Sequence, residues 1–403
     1  MRIERNTKGA LACLLAGILP GISLAGTETV SATPDPKAVT IMRQDLMNQT
    51  YLTGDWGGVR SAWAKQGITL NLDHYSNMQT DVSGGQTHHV DYFGRFRLTA
   101  DVNLQKLADY DGEFFFTGVY QYGRNLTSRL NVNTLVSPIA GEEFLGVDEL
   151  WYQQGFADSR VKLKVGQIAA VNEFGATDFG DVFLSDELSY APNAIFQSAQ
   201  PFSPPGKPGV VLKGDLRDVT PGLYAKFGAF TAIDNAYRPD RNGVDYGDDF
   251  NHAASIAGEF GYLEQKTDYA GTYKVGFNAT DRGHYYDQST GAPVSGDYTV
   301  YGLIEKSVYH PTVKGKLDTA RGLDLLGEGV YAPGDRNFLQ YEGTLGARYT
   351  GLLDSRPKDK IGLGLIYSQA GDHASNAYAA ANGGHLGGET TVELSYVYHV
   401  TDW

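Results

Sequence analysis

Charged side chains recur at every second position along several short segments of this sequence. Arg95 and Arg97 share one face of a segment, and Lys162 and Lys164 share one face of another. Beside carboxylates and aromatic rings, such groups exchange hydrogen bonds with a hydroxylated solute and pack against its apolar surface. The candidates of this kind are Arg95, Arg97, Glu113, Arg124, Glu149, Trp151, Lys162 and Lys164. Residues of these types can bind such a solute without forming or breaking covalent bonds.

Sequence motifs for covalent or metal chemistry are missing. The chain has no Gly-x-Ser-x-Gly nucleophile motif, no His-Glu-x-x-His zinc motif and no P-loop. His88 and His89 adjoin in a polar loop without a second ligand cluster, and the acidic residues of 240–249 miss the spacing of a calcium loop. We therefore predict a protein without catalytic activity, metal or cofactor.

The candidate residues lie on segments with a two-residue period, which predicts β-strands. In the clearest segment, residues 92–104, Phe96 and Leu98 share the apolar face, and Arg95 and Arg97 share the polar one. We predict fourteen such strands, at residues 68–79, 92–104, 113–123, 147–156, 160–168, 209–214, 222–231, 254–262, 271–280, 297–305, 322–331, 340–350, 361–368 and 389–400.

The connections between these strands alternate between tight and long. Residues 109–112 and 157–159 are tight turns, whereas 232–251 and 369–388 are long and polar, and the acidic stretch 177–187 suggests a loop that folds inward. Aromatic residues cluster near strand ends, at Tyr75, Tyr92, Tyr120, Tyr122, Trp151, Tyr152, Tyr298, Tyr301, Tyr349, Tyr367, Tyr396 and Tyr398. Short turns on one side, long loops on the other and aromatic girdles are typical of an outer-membrane barrel. The predicted fold class is all-β, a transmembrane antiparallel β-barrel.

Composition agrees with this fold and excludes other classes. The chain has 403 residues, 50 Gly, 1 Cys, and 33 Lys+Arg against 47 Asp+Glu, for a formal net charge of −14. One cysteine excludes a disulfide scaffold. The acidic balance argues against a nucleic-acid partner, because backbone binding needs a basic surface.

The beginning of the chain predicts export. Residues 1–25 have the basic start, apolar stretch and small-x-small end of a secretory signal peptide. A lipoprotein interpretation of Cys13 is weaker, because the apolar stretch continues past it. We expect residues 26–67 to form an N-terminal extension with one short helix, and residues 68–403 to form the barrel.

Several segments carry a family resemblance. Residues 52–68, which begin Leu-Thr-Gly-Asp-Trp-Gly-Gly-Val-Arg, resemble the N-terminal signature of the OprB family of carbohydrate-selective porins. Residues 148–156 are similar to the Leu-Trp-Tyr hairpin of that family, and 123–127 and 389–396 are weaker matches. The likeness extends from Leu52 to the end of the chain.

The resemblance implies a sixteen-stranded barrel, usually trimeric, in the bacterial outer membrane, through which monosaccharides and related small solutes diffuse passively. Its partners would be small carbohydrates, outer-membrane lipid and further copies of the chain. Fourteen strands are found here, and Trp403 is out of phase with Leu394 and Tyr396 in the last one. We therefore expect a sequence truncated at its C terminus, with an incomplete barrel.

A pore that prefers a sugar needs donors, acceptors and an aromatic surface at a narrow point. Arg95 and Arg97 fit this role, or form an electrostatic ladder that holds loops against the wall, and Glu113 could orient one of them. Trp151 would stack on a solute if its face is luminal, and would belong to the girdle if that face meets lipid.

Four further candidates lie on neighbouring strands or at a loop base. Glu149 shares the face of Trp151, Lys162 and Lys164 are expected in the lumen, and Arg124 lies at a loop base. Two other functions stay open. One is an outer-membrane barrel enzyme such as a lipid hydrolase, for which the scattered His74, His252, His310 and His399 have no obvious serine partner. The other is a secreted soluble sugar-binding β protein.

Overall fold

The computed structural model describes residues 46–85, 89–124, 126–130, 132–139, 143–191, 195, 203–232, 241–246, 254–264, 268–281 and 285–403. The predicted signal peptide and His88 lie outside the described residues. The described residues divide into two compact units, 46–52 with 401–403 and 53–400. Within the first unit, Trp403 Nε1 donates to the carbonyl oxygen of Leu46 over 2.8 Å. The second unit contains all the strands and all the candidate residues.

Fourteen strands form one antiparallel sheet in which each strand pairs with the next in this series. They are β1 (Ile68–Thr80), β2 (Val90–Asn103), β3 (Gly112–Gly123), β4 (Phe144–Phe156), β5 (Val161–Ile168), β6 (Lys207–Asp215), β7 (Leu223–Thr231), β8 (Ala254–Glu264), β9 (Gly271–Thr280), β10 (Asp297–Tyr309), β11 (Gly322–Tyr331), β12 (Leu339–Thr350), β13 (Lys360–Ala370) and β14 (Gly388–Val397). All fourteen predicted strands are confirmed, with bounds that differ by a few residues. Leu104 was expected on β2 but begins a helix, because the Asn103 side chain accepts a hydrogen bond from Lys106 N (3.0 Å) and caps it.

The two faces of the sheet differ in chemistry. One face, here called the outer face, exposes large apolar side chains: Phe260, Leu345, Leu363, Val392 and Leu394 are each more than half exposed. The other face, here called the inner face, carries charged side chains such as Glu259 and Glu305 together with apolar side chains that belong to the packed core. Alternation along each strand produces this division, since successive side chains point to opposite sides.

Helices are short and lie in the connections. They are α1 (Val59–Lys65), α2 (Leu104–Ala108), α3 (Thr127–Leu130), α4 (Asp186–Ser189) and α5 (Asp372–Asn382), with 3₁₀ turns at Trp56–Gly58, Ala170–Asn172 and Gly180–Val182. Two small hairpins pair Tyr285–Tyr286 with Pro293–Val294 and Thr312–Val313 with Lys316–Leu317. In the described part of the chain, no helix has the length and apolar composition that a membrane crossing requires.

The predicted N-terminal helix is confirmed as α1. Asp55 Oδ1 accepts hydrogen bonds from Ser61 N and Ser61 Oγ, both 2.8 Å long, and so fastens the start of the helix. The chain leaves the helix through Gly67, whose φ of +91° is a left-handed conformation that glycine adopts without strain.

The packed core lies between the inner face and residues 169–191, which follow β5 and are here called the inner segment. Phe174 of this segment packs in one buried cluster with Trp151 and Phe230 of the sheet. Leu188 packs in a second cluster with Leu303. The prediction of an inward-folding acidic loop at 177–187 is therefore confirmed.

Candidate functional site

Carboxylates of the inner face hold the main chain of the inner segment. Glu149 Oε1 on β4 accepts from Ala169 N (3.1 Å), and Glu259 Oε2 on β8 accepts from Gly175 N (2.9 Å). The remaining contacts of this kind are Glu305 Oε1 on β10 with Asp178 N (2.6 Å) and Phe179 N (2.7 Å), and Glu393 on β14 with Leu184 N (2.6 Å) and Ser185 N (3.0 Å). The inner segment thus follows the inner face from β4 to β14.

Basic groups complete this attachment. Lys274 Nζ donates to the Ala176 carbonyl oxygen (2.5 Å), and Lys226 Nζ donates to the carbonyl oxygen of Glu173. Asp181 binds Arg348 Nη1 (2.8 Å) and Lys360 Nζ. Burial would raise the pKa of Asp181, but hydrogen bonds from Lys360 and Arg348 outweigh it, so its pKa lies below the ordinary value.

The described inner face is covered unevenly. On the inner face of β8 to β10, Glu259, Asn278 and Glu305 are at most 2% exposed. On β1, Asp73 and Tyr75 point to the same side of the sheet and remain exposed. The open space beside the inner segment therefore borders the first strands.

Arg95 and Arg97 lie beside Asp73 and Tyr75 on the inner face and are half-buried. The register of β1 and β2 sets Tyr75 opposite Arg95 and Asp73 opposite Arg97. Arg95 donates to Gln121 Oε1 from Nε (3.1 Å) and Nη2 (2.6 Å), which fixes its guanidinium. Arg97 Nη2 lies 4.0 Å from Glu149 Oε2, and its buried Nε has no hydrogen-bond partner among the described residues.

Tyr75 was expected in an aromatic girdle, and the structure corrects this. Odd-numbered residues of β1 face inward, so Tyr75 lies on the inner face with Arg95 and not on the apolar outer face. Tyr301 is likewise turned inward, where its hydroxyl donates to Glu259 Oε2 (2.8 Å). Proximity to a strand end marked both residues, but alternation decides which face they occupy.

Glu149 and Trp151 share the inner face, as the alternation indicated, but both are buried. Glu149 accepts from Ala169 N and from Asn172 Nδ2 (2.7 Å), so it binds the inner segment. The Trp151 ring stacks on Phe115 with centroids 4.7 Å apart, and Lys164 Nζ lies 3.7 Å from its centroid. Both ring faces are therefore occupied by protein, and Trp151 is neither a girdle residue nor a free stacking surface.

The other predicted residues lie in three environments. Lys164 pairs with Glu173, and Lys162 lies two residues earlier on the same face. Glu113 accepts from Gln153 Nε2 (3.1 Å) rather than from an arginine. Arg124 is exposed just past β3, and no contact in the described residues joins it to the others.

The acidic pair at the start of α4 connects the inner segment to the loop after β3. Glu187 Oε1 accepts from Leu135 N (2.8 Å), and Asp186 N donates to Leu135 O (3.0 Å). Burial raises the pKa of Asp186 to about 7, against the opposing charge of Arg95. Burial and the charges of Glu342 and Asp186 raise the pKa of Glu187 well above its usual range.

Sequence reasoning missed the wall residues that hold the inner segment. Glu259, Glu305, Lys226 and Lys274 each stand between outward-facing neighbours on a strand, so the period of two did mark them as inward. Nothing in the sequence showed that their partners are main-chain atoms of a distant loop. No group of His, Cys, Asp or Glu side chains in the described residues is arranged to hold a metal ion.

Comparisons with known proteins agree with this architecture. A family described as "Carbohydrate-selective porin, OprB family" matches residues 87–403. Porin B of Pseudomonas aeruginosa is 23% identical over 408 residues, which cover 88% of this chain and 85% of that protein. A protein named "Putative porin QuiX" from Acinetobacter baylyi is 22% identical and covers 79% of this chain and 74% of its own. A high-pH structure of Pseudomonas putida OprB superimposes with a TM-score of 0.78 at 22% identity, covering 89% of this chain and 91% of that one.

Proposed function

This chain belongs to the OprB family of carbohydrate-selective porins, and from that premise we propose that Asp73, Tyr75, Arg95 and Arg97 form the sugar-contacting part of its channel. The protein is a passive porin of the bacterial outer membrane, and the sheet is the wall of its β-barrel. The soluble alternative is excluded by this membership. What the proposal adds is the place of selection and the class of solute, monosaccharides.

One observation carries the proposal: the inner segment packs against the wall of β8 to β10, whereas Asp73 and Tyr75 on the polar face of β1 stay exposed. On that face the exposed Asp73 can accept hydrogen bonds. The guanidinium of Arg97, whose side chain is 32% exposed, can donate them. The exposed Tyr75 ring offers the apolar surface against which the C–H face of a sugar packs. Donor, acceptor and ring together suit a neutral, hydroxylated solute.

Several of the predicted site residues position the solute-contacting side chains in this proposal. Gln121 holds Arg95, while Glu149 and the stacked Trp151 seat the start of the inner segment beside Arg97. These residues set the position of the contacts rather than contact the solute. We propose no contact for Arg124.

The proposal extends to assembly and to the absence of catalysis. The family resemblance supports a homotrimer, and the relatives are channels, so we propose that the protein acts by diffusion without chemical conversion. We do not propose the lipid-hydrolase alternative. His74 stacks on Phe96 with ring centroids 4.2 Å apart. His373 contacts Asp287 Oδ2 (2.8 Å) and Ser289 Oγ (3.3 Å) through the same nitrogen, Nδ1, whereas a catalytic triad uses both ring nitrogens.

Single-channel recording in planar bilayers tests the site. Glucose should block the current of the wild type, and Tyr75→Ala and Arg97→Gln should each weaken that block about tenfold, the loss of roughly one good contact. Tyr298→Ala is the matched control, because Tyr298 is similarly exposed (45% against 49%) but lies on the outer face. A conductance that is indifferent to sugar, or equal effects of the inner and outer tyrosine variants, would contradict the proposal.

A further inference from the structure

Three lysines stand in a row on the inner face where β5, β6 and β7 pair. Lys162 is directly opposite Lys213, and Lys213 is directly opposite Lys226. Like charges opposite each other on one face destabilise a sheet, because their Cβ atoms are only about 5 Å apart. Such a row therefore requires negative charge nearby.

Among the described residues, a carboxylate pairs with the row only at its Lys226 end. Lys226 Nζ lies 3.0 Å from Glu259 Oε1, and the neighbouring Lys164 pairs with Glu173. Lys162 and Lys213 form no ion pair with a described carboxylate. Lys213 is exposed, with its ammonium 4.9 Å from the ring centroid of Tyr224.

The fixed charges around the two unpaired lysines are few. Glu173 and Glu259 attract Lys213 electrostatically, but Glu173 already pairs with Lys164 and Glu259 with Lys226. Glu113 lies near Lys164 and Lys162, shares a side-chain hydrogen bond with Asp101 and accepts from Gln153 Nε2. A carboxylate has about four lone-pair sites, so Glu113 can still accept from O–H groups at the edge of the row.

We propose that Lys162 and Lys213 bind the carboxylate of an acidic sugar, and that Glu113 accepts hydrogen bonds from its hydroxyl groups. Two ammonium groups on adjacent strands can each donate to one oxygen of a carboxylate. The site lies near the short turns, since Lys162 is the second residue of β5 and Lys213 stands two residues before the end of β6. The proposal rests on the channel function and extends it from neutral sugars to sugar acids.

Current block by gluconate, compared with block by glucose, tests this site in the full-length protein in planar bilayers. In the Lys162→Gln/Lys213→Gln variant, the gluconate concentration for half block should rise about tenfold or more, while that for glucose stays unchanged. The difference should shrink as salt screens the charges. Lys106→Gln is the matched control, because Lys106 lies in α2 outside the row. Lys162→Arg/Lys213→Arg should restore gluconate block.

The outcomes separate this site from the channel function. Equal gluconate block in the wild type and the glutamine variant, with glucose block intact, would overturn the acidic-sugar site and leave the porin function standing. A parallel loss of glucose block would show general damage to the pore and would also overturn the site. A wild type without conductance would overturn the channel function and this proposal together.

Discussion

Trp151 shows how an inward-facing aromatic residue can be buried in the protein core. Its ring is enclosed by Phe115 on one side and the Lys164 ammonium on the other, and it is 7% exposed. It belongs to the cluster that joins β4, β6 and β7 to the start of the inner segment. Its role is therefore packing, at the point where the inner segment leaves the wall.

Trp151→Ala should destabilise the folded protein by about 3–5 kcal/mol, the usual cost of emptying a large aromatic site. The temperature at which the folded band converts to the unfolded band on unheated gels should fall accordingly. Leu363→Ala is the control: Leu363 is 57% exposed on the outer face, where lipid replaces the lost side chain, so its conversion temperature should hardly change. Equal shifts in the two variants would show that Trp151 is not buried in the core.

Individual roles were harder to predict than individual faces. Alternation placed Arg95, Arg97 and Lys164 on the polar face, and each is found there. Alternation cannot say which inward side chains a loop will cover, because that depends on contacts between Glu149 and residues twenty or more positions away. Tyr75 was missed for the same reason: its importance comes from pairing with Arg95 across two strands.

At the scale of elements, the inner segment depends on a few charged contacts. Glu305 is fully buried, and one of its oxygens accepts from two consecutive main-chain N–H groups. Hydrogen bonds to a charged acceptor contribute about 1.5–3 kcal/mol each, and losing them leaves both N–H groups without partners. The segment should therefore be sensitive to this one side chain.

Glu305→Ala should release the middle of the inner segment. We expect noisier and larger single-channel currents, because the segment then leaves the wall for part of the time. Asp354→Ala provides the comparison, since Asp354 is an exposed partner of Arg321 with a 95% exposed side chain, and pairs of that kind contribute little. Currents of unchanged noise and amplitude in Glu305→Ala would contradict the attachment.

The seating of α4 should weaken as pH rises. The carboxyl of Asp186 keeps its proton up to about pH 7 when seated, whereas a released, solvated carboxyl loses it near its ordinary pKa of 3.8. The free energy that favours packing of α4 is therefore unaffected at low pH. It becomes less favourable as pH rises from about 4 to 7, because the released carboxyl ionises first, and changes no further above about 7. For Asp186 alone the change from pH 5 to pH 8 is on the order of 3 kcal/mol.

Hydrogen exchange of the amides in α4 and in residues 132–139 measures this effect, with pH-corrected intrinsic rates. Protection should be greater at pH 5 than at pH 8 in the wild type. Asp186→Asn should reduce the difference, because an amide does not titrate, and Glu187, whose pKa is also raised, keeps its own contribution. Protection that rises with pH would reverse the sign and refute the account.

At the scale of the whole molecule, the strand pattern was predictable because it depends on local alternation and on turn residues. Helix α5 was not, since Asp372–Asn382 is rich in alanine and has one buried residue, Ala374, so it lacks the apolar stripe that marks a packed helix. The path of the inner segment was predictable only as an acidic, inward-folding stretch. Its anchoring depends on contacts between residues as far apart as Leu184 and Glu393.

The outer face predicts how the whole protein behaves in solution. Leu345, Val392 and Leu394 are each more than 60% exposed there and would meet water in the absence of lipid. Extraction from membranes should therefore require detergent and should resist alkaline carbonate. The unheated protein should migrate differently from the boiled one on gels. Release by carbonate alone would contradict a membrane-spanning barrel.

The attachment of the inner segment through its main chain has a consequence for evolution and engineering. Glu259, Glu305 and Glu393 bind amide groups that every residue except proline possesses. Side chains of the segment that point into the open space can therefore change without loss of these bonds. The wall can therefore hold inner segments of different sequence, provided that their length is similar. Related porins could acquire new solutes through changes in this segment while the wall stays the same.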